Sequence, residues 1–273
     1  MARIAAGLEY DGRAYRGWQF QPGLQTLQDA VQRALSRVAD SPVDCVCAGR
    51  TDAGVHALGQ VIHFDSTAVR AERGWRLGAN TYLPADVSVA WVREVPDQFH
   101  ARFSATARSY RYVILNRDSR PALAAGRATW ERRPLDATRM HAAAQVLVGE
   151  HDFSAFRAVE CQSKSPVRRV ERLQVERNSE WVTISITANA FLHHMVRNVA
   201  GLLLAVGQGE SPPERVASVL ATRDRRSNAA TAPPDGLYLA AVRYPPEFGL
   251  PGGPLADHSG NAPQSAIIGR TFK

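Results

Sequence analysis

Apolar and polar positions along the chain alternate between a two-residue and a roughly 3.6-residue rhythm, which together predict an α+β protein. Arg3 to Tyr10 reads as a strand that ends at Asp11-Gly12, a turn pair. Thr26 can cap a helix in which Leu27, Val31, Ala34, Leu35 and Val38 recur at helical spacing. Val43 to Cys47 and Gln60 to Phe64 read as strands flanking Gly54. A short helix around Trp75 to Ala79 and a strand from Val87 to Val95 follow. The order is β-α-β-β-α-β, the ferredoxin-like split unit.

The same order returns after about residue 106. Tyr110 to Leu115 is a strand, and Asp136 can cap a helix running through Met140 and Leu147. Arg169 to Val175 and Trp181 to Ile186 pair across Asn178-Ser179. A helix from about Phe191 to Val206 comes next, then one from Pro213 to Leu220, and Leu237 to Arg243 closes the sheet. We expect two ferredoxin-like halves, 1–105 and 106–246, forming a central, mostly antiparallel sheet with a cleft between them. Residues 247–273, rich in Pro, Gly, Ser and Ala, read as a flexible tail.

Of the 273 residues 45% are hydrophobic and 22% charged, values of a globular chain with a sizeable core. The net charge is +7 and the pI about 9.8; lysine occurs only at Lys164 and Lys273, so the positive charge is arginine. The guanidinium fork suits phosphate oxygens and stacks on bases, which hints at a polyanionic partner; a GC-rich genome would give the same bias. Three cysteines make no disulfide framework. The apolar stretch Ile4 to Leu8 is too short for a signal sequence. The longest apolar run, Val199 to Val206, is far below the roughly 18–20 residues that span a bilayer. A soluble, cytoplasmic protein is expected.

Cys47-Ala-Gly-Arg-Thr-Asp-Ala-Gly-Val-His56 is the most informative stretch. Gly49 and Gly54 let the backbone turn sharply and present Arg50, Thr51 and Asp52. An arginine two positions from an aspartate favours the ionised carboxylate, and an anionic carboxylate in a cleft can act as a nucleophile. The pattern equally fits an ordinary loop in which Asp52 bonds its own backbone and Arg50 is solvated. Glu9 to Gln19 interleaves aromatics and arginines, which suits base stacking or a turn whose Tyr10 and Trp18 enter the core. Tyr110 and Tyr112 share one strand face, with Arg111 on the other. In the helix after His193, Met195, Val196, Val199, Leu202, Leu203 and Val206 form an apolar stripe. Arg197 falls opposite it, and Gly201, one turn on, leaves room for another segment.

Taken together, these motifs closely resemble the TruA family of transfer-RNA pseudouridine synthases. The resemblance rests on Tyr10-Asp-Gly12, Tyr15, Gly17-Trp-Gln19, Gly49-Arg-Thr-Asp-Ala-Gly-Val-His56, Gln60-Val61 and Ala107-Arg-Ser-Tyr-Arg-Tyr112. It continues through Asp152-Phe153, Phe156-Arg157, Phe191, Met195-Val-Arg-Asn198 and Gly236-Leu-Tyr-Leu239, and so runs from about residue 3 to 245. It implies a pseudouridine synthase fold and isomerisation of uridine to pseudouridine at positions 38, 39 and 40 of the anticodon stem-loop, with no cofactor and no metal. Asp52 becomes the catalytic residue. By the same resemblance, Arg50 is expected to bind RNA and help move the base out of its stack, Tyr110 to stack on the uracil, Arg197 to pair with the catalytic carboxylate, and Leu237 to line the pocket. The resemblance also implies a homodimer, with the RNA reaching across both subunits and no membrane partner. Phe20 is a departure, standing where relatives often carry a basic residue.

Rival readings explain less. A non-catalytic RNA-binding module on the same fold needs no Gly-Arg-Thr-Asp loop, and the RNP1 pattern is missing. A zinc hydrolase or deaminase using Cys45, Cys47, Cys161 and His56 lacks the deaminase signature. Two-carboxylate glycosidase chemistry has no partner acid beside Asp52 in its motif.

Overall fold

The computed structural model describes residues 1–161 and 163–251. They form two compact units, one made of residues 1–106 with the stretch that begins at Tyr238, the other of Ala107–Leu237. The fold is α+β, and each unit is built on a mostly antiparallel sheet.

The first unit carries β1 (Ala2–Tyr10), α1 (Leu27–Ala39), β2 (Cys45–Cys47), β3 (His56–Ser66), α2 (Glu72–Tyr82) and β4 (Val87–Val95). Its strands lie in the order β4-β1-β3-β2, with Ala6 opposite Ile62 on one side and Val92 on the other. That order is what a β-α-β-β-α-β chain adopts when both helices cover one face. The helix α1 buries Leu27, Val31, Ala34 and Leu35, the positions its apolar period selects, and stops where Asp40 turns left-handed at φ 55°. Thr26 has the extended backbone of a cap, but its hydroxyl makes no cap bond and is buried without a partner. Trp75 of α2 meets Phe64 edge-on at 5.0 Å. Gly78 lets α2 close on α1, since a Cβ there would stand 2.9 Å from Val38.

The second unit carries β5 (Ala107–Asn116), β6 (Thr129–Glu131), α3 (Ala137–Ala144), β7 (Gly149–Asp152), β8 (Val167–Asn178), β9 (Trp181–Ala188), α4 (Met195–Gly207) and α5 (Arg215–Thr222). The sheet runs β5-β9-β8-β7, with β6 parallel beside the end of β5. Strict alternation in β9 buries Val182, Ile184, Ile186 and Ala188 on one face and leaves the hydroxylated face half-open. Asp136 caps α3, its carboxylate accepting from the Arg139 N–H at 2.9 Å. The apolar stripe expected on α4 is buried throughout.

Several boundaries differ from the sequence reading. The helix α4 starts at Met195 rather than Phe191, because His194 takes a left-handed backbone at φ 61° that no helical turn can contain. The β8–β9 turn is Ser179-Glu180, with Ser179 left-handed, since Asn178 still pairs with Trp181. From Tyr238 onward the last strand, β10 (Leu237–Arg243), goes with the first unit and not with the half assigned to 106–246. Tyr238 and Leu239 pair parallel with His56 and Ala57, and Arg243 accepts from the Thr106 N–H through its carbonyl at 2.8 Å. Residues 246–248 form a tight turn that sets Phe248 edge-on to Phe99 at 5.1 Å, so the tail expected from residue 247 does not begin there. The remainder of that expectation, 252–273, lies outside the described residues. Among those described, no helix is long and apolar enough to cross a membrane.

Candidate active site

The Gly-Arg-Thr-Asp segment connects β2 to β3, and its backbone is tied down at almost every residue. Ala48 N–H donates to the Val61 carbonyl at 2.7 Å and Val55 N–H to the Asp52 carbonyl at 3.1 Å, while Gly54 supplies the left-handed turn at φ 79°. Gln60, fully buried in β3, donates from Nε2 to the Gly49 carbonyl at 2.7 Å and to the Tyr10 hydroxyl at 3.3 Å. The Tyr10 and Thr51 hydroxyls share a bond of 2.9 Å, and Trp18 N–H donates to the Thr51 carbonyl at 2.9 Å. Gly17, at φ 90°, is pressed against the same backbone; a Cβ would stand 2.8 Å from the Thr51 oxygen. Gly12 packs without room for a Cβ on the Val55 carbonyl, and its N–H donates to His56 Nδ1 at 3.2 Å.

The motifs Tyr10-Asp-Gly12 and Gly17-Trp-Gln19 are therefore braces for the loop. Tyr10, Tyr15 and Trp18 are core residues, which removes base stacking as their role. On the braced backbone stand Asp52, half-buried, and beside it an exposed Arg50. Asp11, below the loop, is held at a pKa of about 2: burial raises it, but bonds from Arg13 and the charge of His56 outweigh that.

The second unit holds the other residues singled out in the sequence. Tyr110 on β5 is half-buried, with its ring edge-on to Phe191 at 4.9 Å. Tyr112, two residues along, is fully buried, bonded to the Thr129 hydroxyl at 2.5 Å and donating to the Pro233 carbonyl at 3.0 Å. Arg197 is half-buried on α4; its Nε donates to the Ala232 carbonyl at 2.8 Å and its own carbonyl accepts from the Ala232 N–H at 3.1 Å. Leu237 is buried at the start of β10. Gly201 does admit a close neighbour, the Ala230 carbonyl.

Two residues quoted in the motifs, Gln60 and Asn198, have a structural hold on these positions that was not legible beforehand. Gln60 was visible as a polar residue inside an apolar strand, although its bond to Gly49 was not. Asn198, with no exposure, donates to the Phe156 carbonyl at 2.7 Å and accepts from Thr231 at 2.7 Å and Arg225 at 3.1 Å. That junction fixes the residue beside Arg197 and the segment Arg197 binds. No cysteine belongs to a cluster of three or more His, Cys, Asp or Glu among the described residues, so the zinc reading loses its ligand set.

The sequence profile described as tRNA pseudouridine synthase matches residues 6–104 and 143–245, and the chain belongs to that family. It is similar to tRNA pseudouridine synthase A of Methylococcus capsulatus, 59% identical over 94% of this chain and 94% of the relative. The proteins of that name from Legionella pneumophila (strain Corby) and Coxiella burnetii (strain Dugway 5J108-111) are 56% and 53% identical. They cover 91% and 93% of this chain and 95% and 98% of their own lengths.

Proposed function

We propose that this chain isomerises uridine to pseudouridine in transfer RNA, with Asp52 as the catalytic carboxylate. The observation that carries this reading is the bracing of the loop: Gln60, Tyr10, Trp18 and Gly17 fix the backbone on either side of Asp52. A nucleophile or base held this rigidly loses little orientational freedom on meeting its substrate.

The finer assignments extend the same reading. The target uridines are those at positions 38, 39 and 40 of the anticodon stem-loop, and the enzyme is a cytoplasmic homodimer. Arg50 contacts the RNA, Tyr110 stacks on the uracil, Arg197 pairs with the Asp52 carboxylate, and Leu237 supplies an apolar wall. The base must leave its stack first, at a cost of a few kcal/mol. In the reaction the C1′–N1 bond breaks, the uracil turns, and C1′ bonds to C5. The C5 proton is lost and N1 gains one.

That balance supplies the test. Transfer RNA tritiated at uridine C5 should release its label with the wild-type protein and not with Asp52→Asn. Tight RNA binding with no release by the wild type would make this a binding module on a synthase fold.

A further inference from the structure

The sequence Ala101-Arg-Phe-Ser104, just before β5, contains an aromatic residue that the proposed reaction leaves without a role. Phe103 is 75% exposed. A single exposed apolar side chain is ordinary on a protein surface and means nothing alone. The backbone that carries it is not ordinary. His100 Nδ1 accepts from both the Arg102 and the Phe103 N–H, at 3.1 and 3.2 Å, while the His100 N–H donates to the Ser104 hydroxyl and its carbonyl accepts from the Ser104 N–H. Ala101 is held at both ends, by His63 Nδ1 at 3.1 Å and by the Tyr244 hydroxyl at 2.6 Å. A loop fixed by six bonds holds a large apolar ring out in water.

The ring is also framed by charge and by a second π-system. The imidazole of His100 stacks with it at 4.3 Å and 30°, and the Arg102 guanidinium stands 5.5 Å from its centroid. Ala101 ties the platform to His63 of β3, which pairs with Val46 of β2, the strand that leads into the Asp52 loop. An aromatic face offered rigidly beside a guanidinium is an arrangement that receives an unpaired base and a flanking phosphate.

We propose that Phe103 is a stacking platform for an unpaired nucleobase of the RNA substrate, with Arg102 at an adjoining phosphate. This rests on the reading of the substrate as transfer RNA. The test compares Phe103→Ala, Phe103→Leu and Phe103→Trp in binding an unmodified transfer RNA transcript. Stacking predicts a Kd raised about tenfold in both the alanine and the leucine variants, because the leucine keeps apolar volume but has no π face. The tryptophan variant should bind within about threefold of wild type, and RNA should quench its emission beyond the wild-type change.

A leucine variant that binds like wild type overturns the proposal, as does a tryptophan whose emission ignores bound RNA. A change of oligomeric state in Phe103→Ala, read by sedimentation, would give the ring to a protein partner and also overturn it. Wild-type protein that neither binds transfer RNA nor releases tritium would bring down the functional reading as well. Active wild type with an indifferent Phe103 brings down the platform alone.

Discussion

Gly201 and Ala230 touch backbone to backbone: the α4 helix has no room for a Cβ at Gly201 because the Ala230 carbonyl occupies its place. Glycine inside a helix otherwise costs roughly 0.5–1 kcal/mol relative to alanine. Helix propensity therefore predicts that Gly201→Ala stabilises, and packing predicts the reverse. We expect packing to win, with a loss of about 1–3 kcal/mol in urea unfolding and a larger fall in turnover than in RNA affinity. A stabilised variant would show that the 230–232 segment yields easily.

Gln60→Leu keeps the volume of a buried residue and removes the donor to Gly49. The stranded carbonyl and the lost bond should cost about 1–3 kcal/mol of stability. Turnover should fall at least about tenfold through misplacement of Asp52, with transfer-RNA affinity within about threefold of wild type. Equal losses in turnover and affinity would mean the brace serves RNA binding instead.

Asp52→Ala should abolish turnover while RNA affinity stays within about tenfold, because binding is spread over many phosphate contacts. Arg197→Ala should lower turnover more than binding. Unchanged turnover in the arginine variant removes it from the proposed site.

Acid should weaken the first unit before the carboxylates begin to titrate. His63 is buried with Nδ1 accepting the Ala101 N–H, and burial, then His100 and Arg3, push its pKa from 6.5 down to about 4. His100 is shifted the same way. Between those two values the unfolded chain holds a proton that the folded one does not, so stability falls as pH drops from about 6.5 to about 4. His63→Gln retains an acceptor but cannot titrate, and its unfolding free energy should depend less on pH across that window. The same slope in the variant would acquit His63.

Local pattern was enough for what local forces decide. Leu27, Val31, Ala34 and Leu35 announced α1, and Gly49 and Gly54 announced a sharp turn with Asp52 on it. The short strands β6 and β7 went unread, since three or four residues carry no period. The membership of β10 was also beyond reach, because its pairing with His56 and Ala57 joins residues far apart in the chain. The late start of α4 hid for a different reason: Phe191 and Leu192 continue the apolar spacing, and only the left-handed His194 interrupts it. Asp52 and Arg197 were singled out through their motifs and the family resemblance, whereas the bonds of Gln60 and Asn198 join residues distant in sequence.

The two cysteines of β2 have a practical consequence. Cys45 and Cys47 are buried, and burial pushes both thiols up, Cys47 to about 12, so neither offers thiolate to an oxidant or an alkylating reagent in the folded protein. Cys161, in the other unit, is only half-buried. A maleimide dye on the native enzyme should therefore mark one position without any engineering. Its emission would follow events in the second unit alone, and delayed labelling of the other two thiols would time the opening of the first.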